Sequence, residues 1–247
     1  DWAGRPKDMA ARSLLLKLAA RGLITLPPPR RPAGVAYPRH ARTLVPHDTA
    51  PITEPLHGLQ PLATEPVHTR AEHQLWATLV AQYHYLGFKR TIGQNLLYLV
   101  RDRMGRPLAC LLWGAAAWQC ASRDQFIGWD AATRARRLPA VVNNMRFLLL
   151  PWIQVPHLAT QVLARVVQRL PADWRARYGQ PVELLESFVD PTRFAGTVYR
   201  AANWIEVGCT QGRGRQGPRA HTPAVPPKDV YLYPVQRQFR QRLRHGT

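Results

Sequence analysis

The chain has 247 residues, with 34 Lys+Arg against 15 Asp+Glu and a formal net charge of +19 when histidine is neutral. Its length allows one large domain or two small ones, and 46% hydrophobic with 20% charged residues excludes global disorder. The excess positive charge goes beyond what solubility requires and points to a polyanionic partner: DNA, RNA or a membrane surface.

The first predicted element is a helix over 8–21, with Met9, Leu14, Leu15 and Leu18 near helical spacing, Asp8 as N-cap and Gly22 as stop. A short strand, Leu23-Ile24-Thr25-Leu26, and Pro27-Pro28-Pro29 follow. A helix running into a strand suits the last helix and wing of a winged helix, with Arg5, Lys7, Arg12 and Lys17 near a phosphate backbone. An ordinary amphipathic helix with a basic face has the same pattern. Residues 27–69 hold ten of the 23 prolines and read as a linker or extended arm.

From there the expected order is a helix over 70–85 ending at Gly87, strands over 95–101 and 107–113, an irregular aromatic stretch over 118–129, and a polar helix over 130–137. A strand over 141–150, a helix over 156–170, a strand over 182–189, a helix over 191–202 and a strand over 204–210 complete the block, with a basic helical end over 236–244. This is an α/β fold, one mixed curved sheet flanked by helices. The expected division is a winged-helix-like DNA-binding fragment over 1–26, a Pro-rich linker over 27–69, the α/β domain over 70–215 and a basic extension over 216–247.

Charge is unevenly shared: residues 1–47 carry nine basic and two acidic groups, 211–247 carry eight and one, and 48–210 carry seventeen and twelve. The basic excess therefore lies mostly at the ends. Lysines are only Lys7, Lys17, Lys89 and Lys228, so arginine dominates. Guanidinium grips phosphate and guanine edges in pairs, although GC-rich coding produces the same bias. Cys110, Cys120 and Cys209 are an odd set without a Cys-x-x-Cys pair, which fits neither a disulfide framework nor zinc and suits a reduced cytoplasmic setting. The longest apolar stretch, 108–121, is short of the ~20 residues that span a bilayer, and no membrane partner is expected. The first residues lack a signal-peptide core, and the absence of an initiating Met suggests a piece of a longer sequence.

Candidate chemistry lies in acids with apolar or basic neighbours. Asp124 follows Arg123; Glu186 sits inside the apolar strand; Asp190 ends that strand on the same predicted face. A carboxylate in an apolar strand needs a partner or a raised pKa. Asp124 and Glu186, with Asp190, could serve as acid/base groups or hold Mg²⁺ for phosphodiester chemistry. Equally, Glu186 could form a buried ion pair with Arg146 or Arg123, and Asp190-Pro191 could simply cap a helix. Arg146 enters an apolar strand and could hold a phosphate at its end; Trp152 could stack on a base or pack in the core. Thr210-Gln211-Gly212-Arg213-Gly214-Arg215 combines backbone N–H groups with arginines and suits a nucleic-acid backbone, or a basic tail. It lacks a Walker ending, and no zincin or nucleophile-elbow motif occurs. His73 and His84, eleven apart on a helix, read as structural.

Taken together, several motifs resemble the Druantia anti-phage protein A family, which is also met beside or fused with transposases. They are Tyr85-Leu86-Gly87, Arg123-Asp124-x-x-Ile127-Gly128-Trp129, Asn144-x-Arg146-Phe147-Leu148-x-Leu150-Pro151-Trp152, Glu186-Ser187-Phe188-Val189-Asp190 and Gly196-Thr197-x-Tyr199-Arg200-Ala201-Ala202-Asn203-Trp204, with the Gly-Arg run after them. The resemblance implies a role in defence or mobile elements, with DNA and other subunits of such a system as partners and DNA cleavage or modification as the reaction if the protein is an enzyme. The main domain is also distantly similar to the GNAT acyltransferase fold. Tyr199-x-x-x-Asn203-Trp204 resembles that superfamily's Tyr-x-x-x-Gly-Phe, which implies Tyr199 as general acid of a transferase. The corresponding strand-to-helix turn, Trp152-Ile153-Gln154-Val155-Pro156-His157, lacks the superfamily's glycines, so coenzyme A is not expected. A DNA-binding adaptor without catalysis is the third reading.

Overall fold

The computed structural model describes residues 8–28, 44–212 and 225–245, and divides into two units, Asp1–Arg42 and Thr43–Thr247. In the first, α1 spans Asp8–Ala20. It ends where Gly22 turns left-handed, and the Leu23 N–H reaches back to the Leu18 carbonyl at 3.0 Å. Leu14, Leu15, Leu16 and Leu23 are exposed. The strand expected over Leu23–Leu26 does not form among the described residues. Arg12 lies exposed on α1; Arg5 and Lys7 fall outside the described residues.

The second unit is built on six strands in the order β1-β2-β3-β4-β6-β5. They are β1 Asn95–Arg101, β2 Pro107–Ala115, β3 Val141–Leu149, β4 Leu184–Val189, β5 Ile205–Cys209 and β6 Asp229–Pro234. Neighbours are antiparallel except β3 and β4, which run parallel and pair only from Val141↔Leu184 to Asn144↔Ser187. Beyond that pair β3 continues to Leu149 and β4 to Val189, so the two strands part in the middle of the sheet. The mixed, helix-flanked sheet expected from the sequence is the observed architecture.

Helices cover both faces: α2 Leu56–Leu59, α3 Arg70–Tyr83, α4 Ala121–Ile127, α5 Ala131–Arg137, α6 Leu158–Tyr178, α7 Thr197–Ala201 and α8 Phe239–His245. Thr69 and Glu72 close a capping box at the start of α3. Alternation along β4 divides the core. Leu184 joins Ile127, Val230, Leu232, Phe239 and Leu243 on the α4/α8 side, while Leu185 and Val189 join the larger core with α6 and α7.

Four expectations are corrected. Residues 44–69 are not a linker: Ile52, Leu59 and Leu62 are buried, and Ala63 and Pro66 bridge to Arg101 and Tyr98 of β1. Proline suits this segment because it lies along a sheet edge where few N–H groups are needed. The expected C-terminal extension contributes β6 and α8, since Val230, Tyr231 and Leu232 are fully buried between β4 and β5. The stretch 118–129 contains α4, too short to show a helical period and stopped at left-handed Gly128. Finally, α6 runs through Pro171 to Tyr178, because Val166, Val167, Leu170 and Trp174 continue one buried face past the proline.

Candidate functional site

The sequence-selected acids fall on two sides of β4. Because side chains alternate along the strand, Glu186 points with Leu184 toward α4, and Ser187 points with Leu185 toward α7.

On the α4 side Arg123 is fully buried. Its Nη1 donates to Glu186 Oε2 at 2.8 Å and to the Ala117 carbonyl at 2.7 Å, while Nε and Nη2 donate to Asp124 Oδ1 at 3.0 and 2.8 Å. Glu186 Oε1 accepts from the Ala117 N–H at 2.7 Å. Asp124 Oδ1 also accepts from the Trp129 indole at 2.9 Å, and Oδ2 from Arg134 at 3.0 Å. Burial works against the charge on Arg123, but Glu186 and Asp124 outweigh it and hold the guanidinium pKa up. For Glu186, burial is the largest influence and pushes the carboxyl up, against the pull of Arg123 and the Ala117 N–H. Arg123, not Arg146, is therefore the partner of Glu186. All four carboxylate oxygens already accept hydrogen bonds, three of them from the cations Arg123 and Arg134, so Mg²⁺ does not fit between Asp124 and Glu186 as they stand. Among the described residues no group of three or more His, Cys, Asp or Glu has metal-binding geometry.

The other side is the parting of β3 and β4. Tyr199, buried on α7, donates its hydroxyl to Asn144 Oδ1 at 2.8 Å, and Asn144 faces Ser187 at the last paired position. Burial pushes the Tyr199 phenol up to about 12, so it is protonated at neutral pH. Gly196 starts α7 with a positive φ, and a Cβ there would overlap the Tyr231 hydroxyl; only glycine lets the helix approach β6 this closely. Asp190 lies just past the end of β4. Its Oδ1 accepts from the Thr192 N–H at 3.1 Å and hydroxyl at 2.6 Å, which lowers its pKa. That turn, followed by left-handed Gly196, keeps 191–196 out of the expected helix, and α7 begins only at Thr197.

Two loops meet over the parting. Arg146 Nε on β3 donates to the Gly87 carbonyl at 3.2 Å, tying down residues 84–87. Tyr85 and Phe194, both exposed, approach with ring centroids 5.5 Å apart, and Arg193 lies over the Tyr85 ring at 5.1 Å. The His84 ring stacks on Tyr85 with centroids 4.9 Å apart. Its pKa falls to about 4 through burial first and then the charges of Arg146 and Lys228. The rim thus carries Arg146, Arg193 and Lys228 against Asp190, which pairs with Arg193 at 3.7 Å, and Asp229, which follows Lys228 and stands opposite Val189.

The structure brings Arg123, Asp124 and Glu186 together, and separately places Arg146, Asp190 and Tyr199 around the parting. Trp152 is half-buried, stacked on His47 at 5.8 Å and edge-on to Tyr83 at 5.1 Å, away from both clusters' hydrogen bonds. Arg213 and Arg215 lie outside the described residues.

The sequence matches the Druantia protein DruA family over residues 33–218, three quarters of the chain. The chain belongs to the DruA family. No curated protein matches it by sequence. Among solved structures it is similar to a protein of Acinetobacter baylyi ADP1 assigned as an acetyltransferase (13% identity, 57% of this chain and 63% of that chain, TM-score 0.36). It is also similar to mutant forms of the spermidine/spermine N-acetyltransferase SpeG from Vibrio cholerae (10% identity, 73% and 98% covered, TM-score 0.45). A Vibrio cholerae spermidine N-acetyltransferase in complex with CoA and spermine is similar as well (10%, 69% and 92%, TM-score 0.41). No ligand or reaction carries over to this DruA-family chain from them. Among its described residues no helix is long and apolar enough to cross a membrane.

For several residues of this DruA-family site the sequence carries no sign of the role the structure gives them. Tyr85 falls at the end of the helix expected over 70–85 and Phe194 inside the one expected over 191–202; the structure puts both in loops, and nothing in the sequence says that the two loops meet. His84 looked like a helix-core residue, and Arg193 was one arginine among thirty. Asn144 carried the best available signal, a polar residue inside an apolar strand.

Proposed function

We propose that this DruA-family protein acts in anti-phage defence by binding DNA at the parting of β3 and β4. The observation that carries this reading is the exposed ring pair Tyr85 and Phe194, flanked by Arg146, Arg193 and Lys228. Exposed aromatic faces next to guanidinium groups offer stacking for bases and charge for the backbone, a combination suited to a single strand. The basic ends of the chain add sequence-independent attraction, and other subunits of a defence or transposition system are the expected protein partners. Within this reading the Arg123 cluster holds the sheet, and any chemistry on DNA takes place on the Tyr199 side.

The test is a fluorescence-anisotropy titration of a labelled single-stranded oligonucleotide at several salt concentrations. The reading expects affinity that falls steeply with salt and drops when Tyr85 and Phe194 become alanine. An interaction indifferent to salt and to both substitutions would overturn it.

A second reading is group transfer, favoured by one observation. The protonated Tyr199 hydroxyl sits where two parallel strands separate, in place to act as an acid. It predicts calorimetric binding of acetyl-CoA that Tyr199→Phe leaves intact while activity is lost; no binding removes the coenzyme A form of this reading.

A further inference from the structure

A cleft of about 490 Å³ lies between α6 and the segment where α7 passes into β5. Its α6 wall carries Gln161, Arg165 and Gln168, spaced four and three residues apart and therefore on one helix face. Ala164, Ala201 and Ala202 keep the space open, and Asn203 faces it from the opposite wall beside Trp204 and Tyr233. Asn203 is one of two non-glycine residues with positive φ among the described residues, held there by its N–H donating to the Arg200 carbonyl at 3.0 Å. Asn tolerates the left-handed region better than most residues, so the backbone and the carboxamide are specified together.

Two buried donors on residues that line this cleft lack protein partners. Arg165 Nε is buried without a hydrogen bond, as is the indole Nε1 of Trp204, a residue only 4% exposed. Among the described residues no acid lines the cleft. The absence of acid disfavours a polyamine or any other cation, which Arg165 would repel. A phosphate alone would need donors only. Three carboxamides present a donor and an acceptor side by side, the arrangement that matches the edge of a nucleobase. The volume lies within the range of small-molecule sites.

We propose that this cleft binds a nucleotide, with the base edge met by Gln161, Gln168 and Asn203 and the phosphate by Arg165. The nucleotide is either free or one unit of a single strand, and the proposal stands independently of the Tyr85/Phe194 surface. The test titrates the whole chain calorimetrically with each of the four deoxynucleoside 5′-monophosphates, with coenzyme A and with a short single-stranded oligonucleotide. Ala164→Trp fills the cleft from an exposed position, so folding is preserved, and Arg165→Gln removes the cation. The expected result is binding of at least one monophosphate or of the oligonucleotide that Ala164→Trp abolishes and Arg165→Gln weakens about tenfold. Monophosphate binding identifies a free nucleotide, and oligonucleotide binding alone identifies a strand. In the monophosphate case the Tyr85→Ala/Phe194→Ala variant binds normally, which separates this site from the parting of the strands. If neither form of nucleotide responds to Ala164→Trp, or if coenzyme A alone binds the cleft, the proposal is overturned.

Discussion

Glu186 and Ser187 are adjacent on one strand, yet the regions they enter are opposites. On the α4 side, Asp124 and Glu186 meet Arg123, Arg134, Trp129 and a backbone N–H until every carboxylate oxygen is used. On the α7 side, cations outnumber acids and aromatic rings face solvent. A closed polar cluster maintains a geometry; an open rim has donors and ring faces left for something else. The difference teaches that burying an acid marks a place the fold must defend, whereas excess charge on an exposed surface marks a place a ligand can use.

The largest effect should come from breaking the closed side. Arg123→Met leaves Glu186 buried without its cation, and the expected loss is about 3–5 kcal/mol in a urea unfolding titration. Adding Glu186→Leu should restore most of it, because both charges are then gone. A loss under about 1 kcal/mol for the single variant would mean the cluster is not what joins α4 to β4.

On the open side the same logic predicts the reverse. Tyr85→Ala and Phe194→Ala should each weaken oligonucleotide binding by about 1–3 kcal/mol while leaving the melting temperature nearly unchanged, since both rings are exposed. If they unfold the protein instead, the rings are packing groups and the contrast between the two sides fails.

Between these lies Gly196, which sets how closely α7 sits against β6. Gly196→Ala should cost about 1–3 kcal/mol, from a positive φ and from overlap with Tyr231, read as a lower urea midpoint with an unchanged slope. Stability equal to the parent would show that α7 can back away, and with it Tyr199.

Much of the sheet was legible because its strands are short apolar runs bounded by turns: β1 falls where the alternation ends, at Asn95 and Arg101. What was hidden depends on tertiary contacts. Proline content made 44–69 look like a linker although Leu59 is fully buried, and net charge masked the Val230-Tyr231-Leu232 strand within a basic tail. The site divided in the same way. A carboxylate in an apolar strand announced Glu186, but its neighbours on the strand could not tell Arg123 from Arg146 as partner, because Arg123 arrives from a seven-residue helix with no readable period. Tyr85 and Phe194 are more than a hundred residues apart, and only the parting of β3 and β4 brings them together.

The smallest predicted effect comes from His84, which burial first and the open side's cations second keep neutral. His84 is buried under Tyr85 and close to Arg146 and Lys228, with its pKa lowered from 6.5 to about 4. Above pH 6.5 the ring is neutral in folded and unfolded chains alike, and stability is complete. Between about 6.5 and 4 the unfolded chain takes up a proton that the folded one refuses, so stability falls with pH; below about 4 both are protonated and the loss levels off. Asp190, whose pKa is lowered by Thr192, also loses its stabilising interactions in acid, but only as its carboxyl protonates. The two are separated by comparing the parent with His84→Gln in thermal melts across this range. The parent should lose about 2 kcal/mol or less relative to the variant between pH 6.5 and 4.5, allowing for partial solvation of the ring. Parallel pH profiles would mean that neither burial nor the neighbouring cations keep the His84 ring neutral in the folded chain.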